Sequence, residues 1–262
     1  VISVIPEPIA ATVMYINDLP FDTTQTRNVV VVDFGAGTLD LSVVKVRSQD
    51  KTLTLTVEDL DGLRFFGGSN FTTALKKLYV DKFKRAVNQW YGSAPVTDTR
   101  KAFKQWYLDL LTRIDVMVED VKIKHFSKTD NSPVEIRLEE LVTGNFPAEF
   151  KGFMESPGLL GQSVTVEEFE KRVDELMGMT ESPTGETFIG KVNEFFHRNT
   201  FTPDEAPTVL LVGGGFRLRR VKDVAMAYFS TNHPTFTVET KFLNDNSVVA
   251  TGAYLYGMSL MC

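Results

Sequence analysis

The stretch Val29-Val-Val-Val-Asp-Phe-Gly-Ala-Gly-Thr-Leu-Asp-Leu-Ser-Val-Val-Lys-Val46 constrains this chain more than any other, because two strands of different hydrophobic pattern flank a turn of small residues. Four consecutive valines are β-branched and apolar at every position, the signature of a strand covered on both faces. The run stops at the carboxylate of Asp33, and after the turn Leu39, Leu41 and Val43 alternate with polar or smaller residues. A second strand should therefore return antiparallel to the first. Gly35 and Gly37 bare the backbone of the turn, which leaves it free to take positive φ and lets its N–H groups approach an anion. Asp33 at the strand end can reach the water shell of a metal ion, and Thr38 offers a hydroxyl. The competing reading is a tight hairpin whose Asp and Thr only satisfy local backbone groups.

With 262 residues, 43% of them apolar, the chain can build two packed units. A net charge of −6 and a single short basic patch, Arg217, Arg219, Arg220 and Lys222, give no footprint for nucleic acid. Cys262 is the only cysteine, so no internal disulfide forms, and His125, His197 and His233 are too scattered to assemble a metal site. A reducing compartment is expected, with the cytosol preferred and the lumen of the endoplasmic reticulum the alternative. The sequon Asn70-Phe-Thr72 is read as a chance match. Neither a signal-peptide pattern nor an apolar run of membrane-spanning length is present, so no membrane association is expected. Val1 to Ile5 reads as a strand without a lead-in, which places the expected natural N-terminus upstream.

Periodicity predicts a short helix over Ile9 to Tyr15 after Pro6-Glu7-Pro8, and strands at Val29 to Phe34, Leu39 to Val46 and Leu53 to Leu60. Gly62, Gly67 and Gly68 mark a loop, followed by helices from Phe71 to about Asn88 and from Arg100 to about Lys124. A short strand is expected at Val134 to Leu138, inside the polar tract from Ser127 to Gly161. Helix is predicted again over Val164 to Met177, with Thr165 and Glu168 as a capping box, and up to about Arg198 beyond the Ser182-Pro-Thr-Gly185 break. The strand Thr208 to Val212 then meets Gly213-Gly-Gly215, with helix from about Leu218 to Phe229. A last strand near Phe236 to Thr240 leads to a closing helix, Val248 to Leu260, capped by Asn246 or Ser247.

The junction at Gly213, Gly214 and Gly215 is the second candidate site. A buried strand ending in glycines before a helix presents backbone N–H groups outward and lets a flat ligand such as a purine lie on the main chain. Arg217 can stack its guanidinium plane over such a ring.

Five stretches, in order, resemble the nucleotide-binding domain of the 70-kilodalton heat-shock chaperone family, a branch of the actin-like ATPases. They are Glu7-Pro-Ile-Ala-Ala11, Asp33-Phe-Gly-Ala-Gly-Thr-Leu-Asp40, Phe66-Gly-Gly-Ser-Asn-Phe71, Val212-Gly-Gly-Gly-Phe-Arg217 and Asn244 to Ala253. The resemblance covers essentially the whole chain. It implies an α/β fold, an actin-like ATPase (ribonuclease H-like) lobe with a mixed sheet and a mainly helical inserted subdomain. Residues 1–20 would be a remnant of the first lobe, 21–68 with 181–262 the sheet-containing base, and 69–180 the insert.

The resemblance implies ATP or ADP with Mg2+ as ligands. Asp33 and Glu7, with Asp40, would hold magnesium through water, or potassium, and Asp33, Glu7 and Thr38 are the implied catalytic set. Gly35, Ala36, Gly37 and Thr38 would wrap the phosphates, and Gly67 and Gly68 are implied nucleotide-binding residues as well. Glu119 and Lys122 match the Glu-x-x-Lys pattern that holds the ribose, unless they are an ordinary surface ion pair. Gly213, Gly214, Gly215, Arg217 and Asn246 would line the adenosine. Implied partners are a J-domain cochaperone, a nucleotide-exchange factor, and unfolded client peptides bound outside this chain.

Departures from the family mark a divergent member. Ile123 stands where the family has a second base-stacking arginine, and Phe126 replaces a serine that bonds the base. Ser69 and Asn70 replace an acidic pair, Gly215 a serine, Arg219 a proline and Asn246 an aspartate. The family's first phosphate loop and its phosphoryl-transfer lysine belong to a lobe that would precede Val1. Transfer needs groups from both sides of the clamp, so the chain alone is expected to bind ATP weakly and not to turn it over. The parent is read as an ATP-driven chaperone, with a non-hydrolysing exchange factor or scaffold as the alternative.

Overall fold

A computed structural model describes residues 4–17, 19, 26–49, 52–91, 99–128, 132–137, 161–179, 186–242 and 247–260. The chain divides into two compact units, one made of Val1–Asn70 with Asp174–Cys262 and the other of Phe71–Val173.

The first unit is organised by a five-stranded mixed sheet in the order β3-β2-β1-β6-β7. Its members are β1 (Thr26–Phe34), β2 (Leu39–Gln49), β3 (Thr52–Leu63), β6 (Thr208–Val212) and β7 (Thr237–Glu239). β1, β2 and β3 form the antiparallel meander that their turn residues predict, and β6 joins β1 in parallel, as β7 joins β6. Val29, Val30, Val31 and Val32 are all buried, as a strand covered on both faces requires. One face packs Val29, Val31, Val44 and Val46 against α1 (Glu7–Asn17), through Ile9, Ala11 and Ile16, and against Val248. On the other face Phe34 contacts the rings of Phe66, Phe188 and Phe216.

The closing helix, Val248–Ser259, crosses α1 so closely that a Cβ at Gly252 would fall 1.8 Å from the Ala10 carbonyl oxygen. Ser247 stands at its N-cap without a side-chain cap bond, and Asn246 lies outside the described residues. Two further helices of this unit run over Phe188–Arg198 and Arg219–Asn232, the first tied to β3 by Arg198 with Asp59 (3.0 Å) and Lys191 with Asp61 (2.8 Å).

The second unit holds most of α2 (Gly68–Tyr91), α3 (Thr99–Lys124), and the two-stranded sheet of β4 (Val134–Arg137) and β5 (Gly161–Val164). It also holds the start of α4 (Val166–Met177). Thr165 and Glu168 exchange the two bonds of a capping box, at 2.9 and 3.2 Å. Tyr79 donates to the Val134 carbonyl at 2.8 Å, and Lys82 bonds both Ser163 O and Glu168.

Several boundaries correct the periodicity. Val164, expected to open a helix, instead closes a strand, because Gly161 to Val164 pair with β4 and the helix starts at Val166. Gly62 lies within β3 and Gly68 opens α2. Gly214–Arg217 form a 3-10 turn, with the α-helix starting only at Arg219. Val4 and Ile5 are not in a strand, and residues 1–3, 138–160 and 180–185 lie outside the described residues.

Candidate functional site

In the register of the sheet Asp33 lies opposite Asp40 on β2 and opposite Val212 on β6. Because β1 and β6 run parallel and adjacent, the turn after Phe34 and the turn after Val212 leave the sheet at the same end. The contact is intimate. A Cβ on Gly213 would lie 2.5 Å from Asp33 Oδ1 and 2.6 Å from the Phe34 carbonyl oxygen, and one on Gly215 would lie 2.6 Å from Phe34 Cδ1. Gly213 also has φ of 96°, in the region that disfavours side chains. Glycine at 213 and 215 is therefore demanded by packing.

The first turn behaves differently. The Gly35 N–H donates to Thr38 O at 3.0 Å, closing the hairpin. The first amides of α2 then take its carbonyls: Gly68 N–H bonds Gly35 O at 3.0 Å and Ser69 N–H bonds Ala36 O at 2.7 Å. In a planar trans peptide the N–H points opposite to the C=O of the same unit. With the Gly35 and Ala36 carbonyls held by α2, the N–H groups of Ala36 and Gly37 point away from it. Gly67 makes this approach possible, since a Cβ there would sit 2.6 Å from Gly37 N and 2.7 Å from Ala36 O. Asn70 locks the entrance, accepting from Gly67 N–H at 2.8 Å and donating to Phe65 O at 3.2 Å.

Gly35 and Gly37 do not use the positive φ open to them; among the described glycines that belongs to Gly62, Gly178 and Gly213. A Cβ on Gly35 would make only ordinary contacts at 3.7 Å, and one on Gly37 would meet nothing within 4 Å. The same holds for Gly214. The protein's own packing does not require glycine at 37 or 214.

Burial, the charge of Glu7 and the charge of Asp40, in that order, push the Asp33 carboxyl up to about 6. Thr38 donates its hydroxyl to Asp40 at 2.7 Å. Among the described residues no three His, Cys, Asp or Glu side chains are close enough to ligate a metal directly, so Asp33, Glu7 and Asp40 share a field rather than a coordination cage. Arg217 is half-buried at the end of the second turn.

Glu119 and Lys122 come together in the second unit. Lys122 is 6% exposed, which removes it from the class of solvated surface pairs, and its Nζ lies 2.7 Å from Glu119 Oε2. Thr72 completes the group: its hydroxyl donates to Glu119 and accepts from Lys122. Against the opposing effect of burial, the bonds from Lys122 and Thr72 hold the Glu119 carboxyl below its usual range. Sequence reasoning missed Thr72, since a threonine so distant along the chain carries no periodic signal toward Glu119. Phe126 is buried against Phe169, with ring centroids 4.5 Å apart, while Ile123 is half-exposed.

A mixed sheet whose neighbouring parallel strands end in a phosphate-type hairpin and a glycine turn, with two helices crossing at Ala10 and Gly252, is the lobe of an actin-like ATPase. The family model described as Hsp70 protein matches residues 1–261, and the chain belongs to the Hsp70 family. It is similar to "Heat shock 70 kDa protein, mitochondrial" of Dictyostelium discoideum, at 23% identity over 256 residues. That alignment takes in 97% of this chain and 32% of the relative, so the chain spans about a third of the length of the curated relative. The low identity agrees with a divergent member.

Proposed function

We propose that this chain is the second lobe of the ATP-binding domain of a heat-shock-type chaperone, in which nucleotide state gates the binding of client peptides elsewhere in the protein. The observation that carries the reading is the pair of amides, Ala36 and Gly37, turned away from α2 beside the strand end that bears Asp33. Backbone N–H groups in a bare turn next to a carboxylate suit a phosphate that arrives with a divalent cation. The donor set fits magnesium: three carboxylates of like charge, one of them already driven toward its neutral form, are relieved by a cation.

Asp33, Glu7 and Asp40 would hold that cation through its water, and Ala36, Gly37 and Thr38 would bind the phosphates. When bound, magnesium supplies charge neutralisation at the phosphates. The turn Gly213 to Gly215 would take the base, with Arg217 stacked on it, Asn246 near the ring, and Glu119 with Lys122 on the ribose. A companion lobe would supply the remaining half of the clamp, and a J-domain cochaperone and an exchange factor would act on the whole. The cytosol is the proposed compartment.

ATP turnover by the protein with its companion lobe, stimulated by a J-domain and lost in Asp33→Asn, is the expected result. Stimulated turnover that survives Asp33→Asn overturns the reading. A non-hydrolysing exchange module is the alternative, supported by Phe126, which stands where the family has a serine that bonds the base and is buried against Phe169. ATP binding without turnover in the complete protein would select it.

A further inference from the structure

The aim of the Ala36 and Gly37 amides depends on a helix start that one side chain holds. The N–H groups of Gly68 and Ser69 belong to the first turn of α2, where no intrahelical carbonyl is open to them, and they are spent on Gly35 O at 3.0 Å and Ala36 O at 2.7 Å. A displacement of that start by about an ångström breaks both bonds and frees the peptide units of the turn to rotate. The segment leading into α2 is fixed unevenly. Phe65 is 90% exposed, whereas Phe66 stacks on Phe34 with centroids 5.4 Å apart. A stacked ring decides where the segment lies but leaves the rotation of the 66–67 peptide unit to hydrogen bonds. Asn70 supplies them. Its Oδ1 accepts from the Gly67 N–H at 2.8 Å, its Nδ2 donates to Phe65 O at 3.2 Å, and its own N–H donates to Gly67 O at 3.0 Å. A side chain that reaches back three residues to the N–H just before a helix is one half of a capping box. The bond falls on the residue pressed hardest against the turn, since a Cβ at Gly67 would lie 2.6 Å from Gly37 N and 2.7 Å from Ala36 O.

We infer that Asn70 is a positioning residue for phosphate binding: by accepting from the Gly67 N–H it seats the start of α2 on the first turn and so holds the Ala36 and Gly37 amides toward the anion. The role rests on the nucleotide reading above and deepens it, because Asn70 acts through the turn rather than on the ligand. Of its two side-chain bonds, the one to Phe65 O is the longer and ends on an exposed residue. The effective atom is therefore the acceptor oxygen, which an aspartate also carries and an alanine lacks.

The test is an NMR titration of the isotopically labelled chain with magnesium tripolyphosphate, following the amides of Ala36, Gly37 and Gly214 in wild type, Asn70→Ala and Asn70→Asp. Wild type should bind with shifts at Ala36 and Gly37. Asn70→Ala should bind about five- to tenfold more weakly, the loss expected of one hydrogen bond. Without ligand it should move the Ala36 and Gly37 signals, speed hydrogen exchange at the Gly68 and Ser69 amides, and leave the Gly214 signal in place. Asn70→Asp, which keeps the acceptor, should return the affinity to within about threefold of wild type. A residue that served stability alone would lower the urea midpoint in Asn70→Ala and leave the affinity and those two signals where they were. Unchanged tripolyphosphate affinity in Asn70→Ala, or an Asn70→Asp as weak as the alanine variant, would overturn the inference and leave the nucleotide reading standing. Failure of tripolyphosphate to shift Ala36 or Gly37 in wild type would overturn both.

Discussion

Replacing Asp33 by asparagine should stabilise the ligand-free protein while weakening the binding of metal-bound phosphate proposed for this site. Burial, Glu7 and Asp40 raise the carboxyl from an ordinary value of 3.8 to about 6, so the folded state binds the proton more tightly than the unfolded state does. Stability therefore falls as pH rises through the interval between those two values. The penalty is absent below the unfolded pKa and complete above the folded one. Two pKa units correspond to about 3 kcal/mol, and partial solvation of Glu7 and Asp40 brings the expected figure to about 2 kcal/mol near neutral pH.

Urea denaturation of Asp33→Asn and wild type, without magnesium or nucleotide, measures the difference directly. The variant should be more stable by about 2 kcal/mol near pH 7.5 and by less than about 1 kcal/mol near pH 4, where wild-type Asp33 is itself neutral in the fold. Addition of magnesium-ATP should then raise the midpoint of wild type more than that of the variant. An advantage that is independent of pH, or a variant less stable than wild type near neutrality, would refute the account of Asp33 as a carboxylate destabilised for its task.

Other substitutions separate structural glycines from functional ones. Gly213→Ala should destabilise by about 1–3 kcal/mol or more in chemical denaturation, because it forces a side chain to positive φ and against Asp33 Oδ1. Gly214→Ala should stay within about 0.5 kcal/mol of wild type in urea denaturation, since open space surrounds its Cβ, yet weaken magnesium-ATP binding in an NMR titration. Gly252→Ala should cost about 1–3 kcal/mol by pushing the closing helix off the Ala10 carbonyl, visible as a lowered urea midpoint. His233 packs between Phe196 and Phe236, each 4.6 Å away, and burial lowers its pKa. The folded state thus favours the neutral ring, and stability should be lost as pH falls below about 6.5; His233→Phe should flatten that acid slope.

Local chemistry wrote most of the elements into the chain. The four valines, the alternation from Leu39, and the glycines at 35, 37 and 213 to 215 each announce a strand or a turn through their own conformational preferences, and Thr165 with Glu168 announces a helix start. The strand at Gly161 to Val164 escaped because Gly-Gln-Ser-Val has little intrinsic β character, and only pairing with Val134 to Arg137 makes it one. The glycines illustrate the limit well. Their places were legible, yet whether each serves packing or leaves room for a ligand depends on what a Cβ would strike, and that is a property of neighbours distant along the chain.

By itself the sequence determined two bare turns at the ends of two buried strands and a helical stretch between them, because those features follow from side-chain size and periodicity. Tertiary structure alone decided that the strands lie parallel and adjacent, so that Asp33 meets Gly213, that α2 holds the carbonyls of the first turn and aims its amides outward, and that Thr72 joins Glu119 to Lys122. Those outcomes depend on which surfaces are buried together, and burial is a property of the folded whole.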